Sequence, residues 1–125
     1  RKAAVKHPNI KILNCSVSMP FPGVRTYYSR VYEGKFISGA VAGAMTKTGR
    51  IGYIASSPIY GVPAGINAFA LGALLTNPDI KICLRWSSVS EDPISELKAL
   101  GVDMISNRDV PSPEQPQAAW TAAAR

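Results

Sequence analysis

Phe21, Tyr60 and Trp86 each fall at or just beyond the end of an apolar run, and Ser56, Asn107 and Asp109 lie in polar segments of the same kind. Aromatic faces stack on flat heterocycles and sugar rings, while hydroxyl, amide and carboxylate groups supply directional hydrogen bonds. Such a set suits reversible capture of a small polar solute. Each residue also has a structural use. Trp86 can cap a sheet edge, Tyr60 can brace its own loop, Phe21 can reach the core beneath, and Asp109 can cap a turn before Pro111.

Covalent chemistry has weaker support. Ser95 and Lys98 match the spacing SxxK, but they lie inside a short amphipathic segment without the companion motifs of the penicillin-binding enzymes. A Ser-His-Asp triad would have to use His7, the sole histidine, which sits beside Pro8 in a polar segment. No phosphate-cradling glycine motif is present, since Gly49-Arg-Ile-Gly52 opens a strand rather than a helix. Glu91 and Asp92 are adjacent, and the second has the position of a helix cap. Cys15 and Cys83 are isolated and read as free thiols in buried strands, so no Cys/His zinc site forms. No catalytic residue, metal ligand or cofactor is therefore expected.

With 125 residues, 46% of them apolar and 18% charged, the chain is globular rather than disordered or coiled-coil. Its longest nearly apolar stretch, residues 65–75, carries Asn67 and falls well short of the roughly 20 residues that span a bilayer. The polar start, with Pro8, is not an export signal, so any such signal is expected to be missing from this chain. Residues 1–50 hold nine Lys or Arg against Glu33 alone, whereas residues 51–125 hold five against seven acids. The cations are scattered singly, which describes a solvated basic face better than a nucleic-acid site.

Strands and helices alternate. Residues 10–17 form an apolar, β-branched run that ends at Pro20, Pro22 and Gly23. Residues 28–47 change to a helical period, with Val31 and Tyr32, Phe36 and Ile37, Ala40 and Val41, and Ala44 and Met45 on one apolar face. Gly39 and Gly43 leave a smooth strip that lets this helix lie close against a sheet. Strands follow at residues 50–55, 80–86 and 102–106. A helix opens near Pro63, with Ile66, Phe69, Ala70, Ala73 and Leu74 inward, and another opens at Asp92-Pro93, with Ile94, Leu97 and Leu100 inward. Connections this long require parallel pairing through right-handed crossovers, so the fold class is α/β with a parallel sheet and flanking helices. Ligands gather beyond the carboxyl ends of such strands. That places the site in residues 18–25, 55–61, 86–90 and 107–109.

Several strings then occur in order: Val24-Arg-Thr-Tyr-Tyr28, Tyr32-Glu-Gly-Lys-Phe-Ile-Ser-Gly39, Ala42-Gly-Ala-Met-Thr-Lys47, Ile51-Gly-Tyr-Ile-Ala55, Pro58-Ile-Tyr-Gly61 and Gly65-Ile-Asn-Ala-Phe-Ala-Leu-Gly-Ala73. The succession resembles the basic membrane protein family of substrate-binding lipoproteins that serve ABC importers and include purine nucleoside receptors. The resemblance implies a two-lobed type I periplasmic-binding-protein fold. Residues 1–48 would be the end of one lobe and residues 49–125 most of the other. It further implies an extracytoplasmic, non-enzymatic protein that holds a nucleoside-like solute in the inter-lobe cleft by hinge closure. Its partner would be the transporter permease, and its contact with the membrane only a lipid anchor absent from this chain. Tyr60, Trp86 and Asp109 are the candidates for the implied stacking and ribose-binding roles, Ser56 and Asn107 lie in loops that match cleft-facing family segments, and Phe21 is a candidate on its chemistry alone. The rival readings are a cytosolic α/β nucleotide-binding or enzyme domain and a basic nucleic-acid-binding module.

Overall fold

Pairing begins with the short β-forming segments on either side of residues 16–20. The computed structural model describes residues 2–15, 21–59 and 61–106 and divides into one unit ending at Arg30 and another starting at Val31. In the first unit, helix α1 (Lys2–Lys6) precedes strands β1 (Ile12–Cys15) and β2 (Val24–Tyr27). The strands are parallel, with Ile12 opposite Val24 and Cys15 opposite Tyr27. A tight turn leads into β2. The Val24 amide donates to the Phe21 carbonyl at 2.9 Å, and Gly23 adopts φ +80° after Pro22, the residue order of a type II turn.

Two expectations are corrected here. The loop expected through residue 25 ends at Gly23, because Val24, Thr26 and Tyr27 favour extended backbone and pair at once with β1. Nor is β1 a buried strand. Leu13 is 68% exposed and the free Cys15 is exposed as well, since two strands do not enclose a core of their own.

The second unit is built on β3 (Arg50–Ala55), which has the expected bounds and is buried from Ile51 onward. It pairs in parallel with β4 (Lys81–Trp86) on one side and β5 (Met104–Ser106) on the other, giving the order β4-β3-β5. Alternate residues of β3 face opposite layers. Ile51, Tyr53 and Ala55 pack with Ala42, Phe69, Ala73 and Ile80 under helices α2 (Val31–Met45) and α3 (Val62–Thr76). Tyr53 meets Phe69 edge to face at 5.2 Å. On the other face, a Cβ at Gly52 would meet Leu97 of helix α4 (Pro93–Ala99) at 2.9 Å, so the missing side chain makes room for that helix. Complete burial of Ile51, Ile54, Tyr53 and Leu97 contributes about 1.5–3 kcal/mol each.

Helices α2 and α3 approach backbone to backbone. A Cβ at Gly39 would fall on the Phe69 carbonyl, one at Gly72 on the Phe36 carbonyl, and one at Gly43 would reach the Ala73 carbonyl at 2.5 Å. The Thr76 hydroxyl donates across the contact to the Ala40 carbonyl at 2.9 Å. The glycine strip of α2 thus faces a helix, not a sheet, and this reverses the expected apolar face. Gly39, Ala42 and Gly43 are buried, while Ile37 is 65% exposed and Val41 and Met45 are exposed too. In α3, Phe69 and Ala73 are inward as expected, but Leu74 is exposed and Gly72 takes the buried position.

Helix ends are set by local chemistry. The Asp92 carboxylate caps α4 by accepting from the Ser95 amide at 3.1 Å, which holds its pKa below the usual carboxylate value. Pro93 and Leu97 are buried there, Ile94 is half-buried and Leu100 stays exposed. Helix α2 stops at Met45, short of the expected Lys47, and Gly49 turns the chain at φ +67°. Beyond it, Asp103 gathers the chain. The Thr46 hydroxyl donates to one carboxylate oxygen at 2.7 Å, and the Lys47 and Thr48 amides donate to the other at 2.5 and 3.1 Å. Desolvation pushes the Asp103 carboxyl up, but these donors outweigh it and hold the pKa at about 2.

The interlock and the Asp103 tie generate two predictions. Gly39→Ala or Gly72→Ala forces the helices apart and lowers stability by about 3 kcal/mol or more, whereas Gly34→Ala, with open space around it, raises stability by about 0.5–1 kcal/mol. Urea unfolding followed by circular dichroism measures both. Because the Asp103 pKa is depressed on folding, its contribution is fully present above the ordinary value of 3.8 and is lost as pH falls toward 2. Asp103→Asn lowers stability at pH 7 by about 1 kcal/mol, discounted for its partly solvated position, and flattens the loss of melting temperature between about pH 4 and 2.

Candidate solute-binding rim

The topology decides where a site can form. From β3 the chain crosses through α3 to β4 on one side; from β4 it returns through α4 to β5 on the other. The carboxyl ends of β3 and β5 border the switch point of the sheet, the place at which parallel sheets bind ligands. Ser56 follows β3 directly, and residues 107–109 follow β5. Trp86 ends β4, paired with Ala55. Ser106, the last residue of β5, lies opposite Tyr53.

Hydrogen bonds continue past the strand ends. The Ser87 amide donates to the Ala55 carbonyl at 2.8 Å and the Ser88 amide to the Ser56 carbonyl at 3.1 Å, so the loops after β3 and β4 are joined. The Val89 and Ser90 amides both donate to the Trp86 carbonyl, at 3.0 and 2.9 Å, closing a tight turn. Ser56 and Trp86 are half-buried, and Trp86 packs against the core cluster. Its indole is thus held by the sheet beneath.

Of the six candidate residues, Ser56 and Trp86 are brought together at this rim. Phe21 belongs to the first unit, where its carbonyl closes the turn into β2. Tyr60, Asn107 and Asp109 lie outside the described residues. Three features of the second unit escaped the sequence reading. Glu96, read as the middle of an SxxK match, accepts from Arg85 at 2.6 Å and from Ser90 at 2.5 Å. Hydrogen bonding from Ser90, and then the charge and hydrogen bond of Arg85, hold its pKa below the usual carboxylate value. Asp103 organises the opposite end of the sheet. A cavity of about 330 Å³ lies between α2 and the sheet, lined by Lys35, Ser38, Ile51, Phe69, Met104 and Ser106. The Lys35 ammonium sits 5.3 Å from the Tyr53 ring centroid. No pattern in the sequence marks these contacts, because each joins residues far apart along the chain or depends on a turn.

Among the described residues no cluster of three or more His, Cys, Asp or Glu side chains could hold a metal ion. No helix among them is long and apolar enough to cross a membrane. What the rim offers is a tryptophan beside serine hydroxyls, groups suited to stacking and hydrogen bonding; the turn amides are already spent on backbone carbonyls.

Residues 6–107 match the profile of the PnrA-like ABC transporter substrate-binding proteins, the Bmp family. The chain belongs to this family. It is 38% identical over 111 residues to a purine-binding protein of Brucella abortus, an alignment covering 84% of this chain and 32% of the relative. It is 36% identical over 98 residues to a protein of Haloferax volcanii whose name reads ABC transporter glucose-binding protein, covering 78% of this chain and 25% of the relative. The chain thus spans about a third or less of the length of these relatives. The parallel sheet flanked by helices is the architecture expected of part of a periplasmic-binding-protein lobe.

Trp86 carries a structural load that can be separated from any binding role. Trp86→Ala lowers stability by about 2 kcal/mol through lost packing on the core cluster, and Trp86→Phe recovers most of that loss. Chemical denaturation of the two variants measures the difference.

Proposed function

We propose that this chain is part of the extracytoplasmic solute-binding component of an ABC importer, which takes up a small polar, nucleoside-like solute between two lobes and releases it unchanged. The observation that carries the reading is the coincidence of family and topology: a substrate-binding family spans residues 6–107, and within it Ser56 and Trp86 share the carboxyl rim of a parallel sheet. A flat base would stack on Trp86 and Tyr60, and ribose hydroxyls would be held by Asp109, Asn107 and Ser56, with Phe21 a further candidate contact. This is binding without a covalent step, and the permease is the partner that receives the solute. Attachment to the membrane would be through a lipid anchor.

The two lobes of the proposal are supported by the division into two units. The expected boundary after residue 48 falls inside the second of them, between α2 and β3. The interlock of α2 with α3 and the division after Arg30 support the alternative of a crossover between lobes at residues 28–30.

A second solute class has support of its own, since one relative carries a glucose-binding name and an aromatic face also stacks on a sugar ring. Thermal-shift and calorimetric titration of the full-length protein with adenosine, guanosine, inosine, glucose and spermidine separates the readings. Nucleosides at about 100 times Kd should add about 2.7 kcal/mol of stability, visible as a rise of several degrees in Tm. A response to glucose alone keeps the importer reading and removes the nucleoside. No response to any of them, with binding to duplex DNA that falls steeply as salt rises, would replace it with the basic nucleic-acid module.

A further inference from the structure

The rim turn after β4 is held from below by a single carboxylate. Glu96 Oε2 accepts from Arg85 Nε at 2.6 Å, and Glu96 Oε1 accepts from the Ser90 hydroxyl at 2.5 Å. Arg85 immediately precedes Trp86, and Ser90 closes the turn whose amides bind the Trp86 carbonyl. One side chain therefore pins both ends of residues 86–90. Its own support is firm: the neighbouring Leu97 is fully buried, Asp92 caps the helix, and Arg85 is oriented further by donating to the Leu84 carbonyl at 2.9 Å.

We propose that Glu96 is a positioning residue for the solute site, acting through Arg85 and Ser90 to hold the 87–90 turn in its binding geometry; the proposal rests on the solute-binding reading above. The turn presents Val89, 81% exposed, at its tip and passes hydrogen bonds to Ala55 and Ser56 across the rim. Both partners of the ion pair are partly solvated, at 32% and 46% side-chain exposure, so the pair adds little to global stability. Its effect falls on the order of the turn. A turn already held in place loses less freedom when a solute docks, and that difference enters affinity directly.

The test uses the full-length protein carrying Glu96→Ala, Ser90→Ala, both together, and Glu96→Gln. Amide hydrogen exchange at residues 86–91 is followed without solute, and Kd is measured for adenosine or glucose, whichever the wild type binds. Glu96→Ala should speed exchange in the turn and weaken binding by about 3- to 10-fold, with Tm within about 2 °C of wild type. Ser90→Ala should give a smaller effect, and the double variant should lose no more than Glu96→Ala alone, because both act through one link. Glu96→Gln, which keeps one acceptor oxygen and the side-chain shape, should recover part of the affinity. Unchanged exchange in Glu96→Ala overturns the proposal, as does faster exchange with Kd within twofold of wild type. Failure of the wild type to bind any solute overturns the solute-binding reading instead, while the exchange comparison still decides whether Glu96 holds the turn.

Discussion

Helices α2 and α3 touch through their backbones, and the second unit is arranged around that contact. Gly39 and Gly43 on one helix and Gly72 on the other remove the side chains that would keep the axes apart, so each backbone lies against the carbonyls of its neighbour. Close approach places Ala42, Phe69 and Ala73 together over one face of β3, where small and large side chains fill the space above Ile51, Tyr53 and Ala55. Packing at interior density leaves little freedom to slide. The helical layer is therefore a rigid roof over the central strand.

That roof fixes which way the strand ends point. With α2 and α3 on one face of β3 and α4 on the other, β4 and β5 must flank it on opposite sides, and every strand of this sheet runs the same way. The two ends of the sheet then take different work. At the amino ends, Asp103 collects a hydroxyl and two amides and ties the turn after α2 to the segment entering β5. At the carboxyl ends, the loops after β3 and β4 are joined by main-chain hydrogen bonds beside Ser56 and Trp86. The ties at the two ends of the sheet are separated by the length of the strands.

Much of this was legible from residue order. The run Arg50–Ala55, the Asp92-Pro93 cap and the Gly101 stop mark their elements because each depends on a local preference of the backbone or on a cap within one turn. The face of α2 was not legible. Hydropathy scores Ile37, Val41 and Met45 as the inward stripe, yet a glycine that permits close approach carries no hydropathy signal of its own. Strand β2 was obscured by the prolines and glycine just before it, which read as continuing loop although the turn closes at Val24. Glu96 was hidden for a related reason: its partners lie 11 and 6 residues back and meet it only after β4 and α4 have packed.

Alone, the order of residues determined an alternating α/β chain, the parallel sense of its strands and the family to which the chain belongs. These follow from backbone preferences, connection lengths and strings of neighbouring residues, all of which are local. Tertiary structure decided that β3 sits between β4 and β5, that glycines rather than aliphatic side chains face the neighbouring helix, and that Asp103 and Glu96 are the carboxylates that tie segments together. Those outcomes depend on distances between residues remote in the chain, and such distances exist only once the layers have packed.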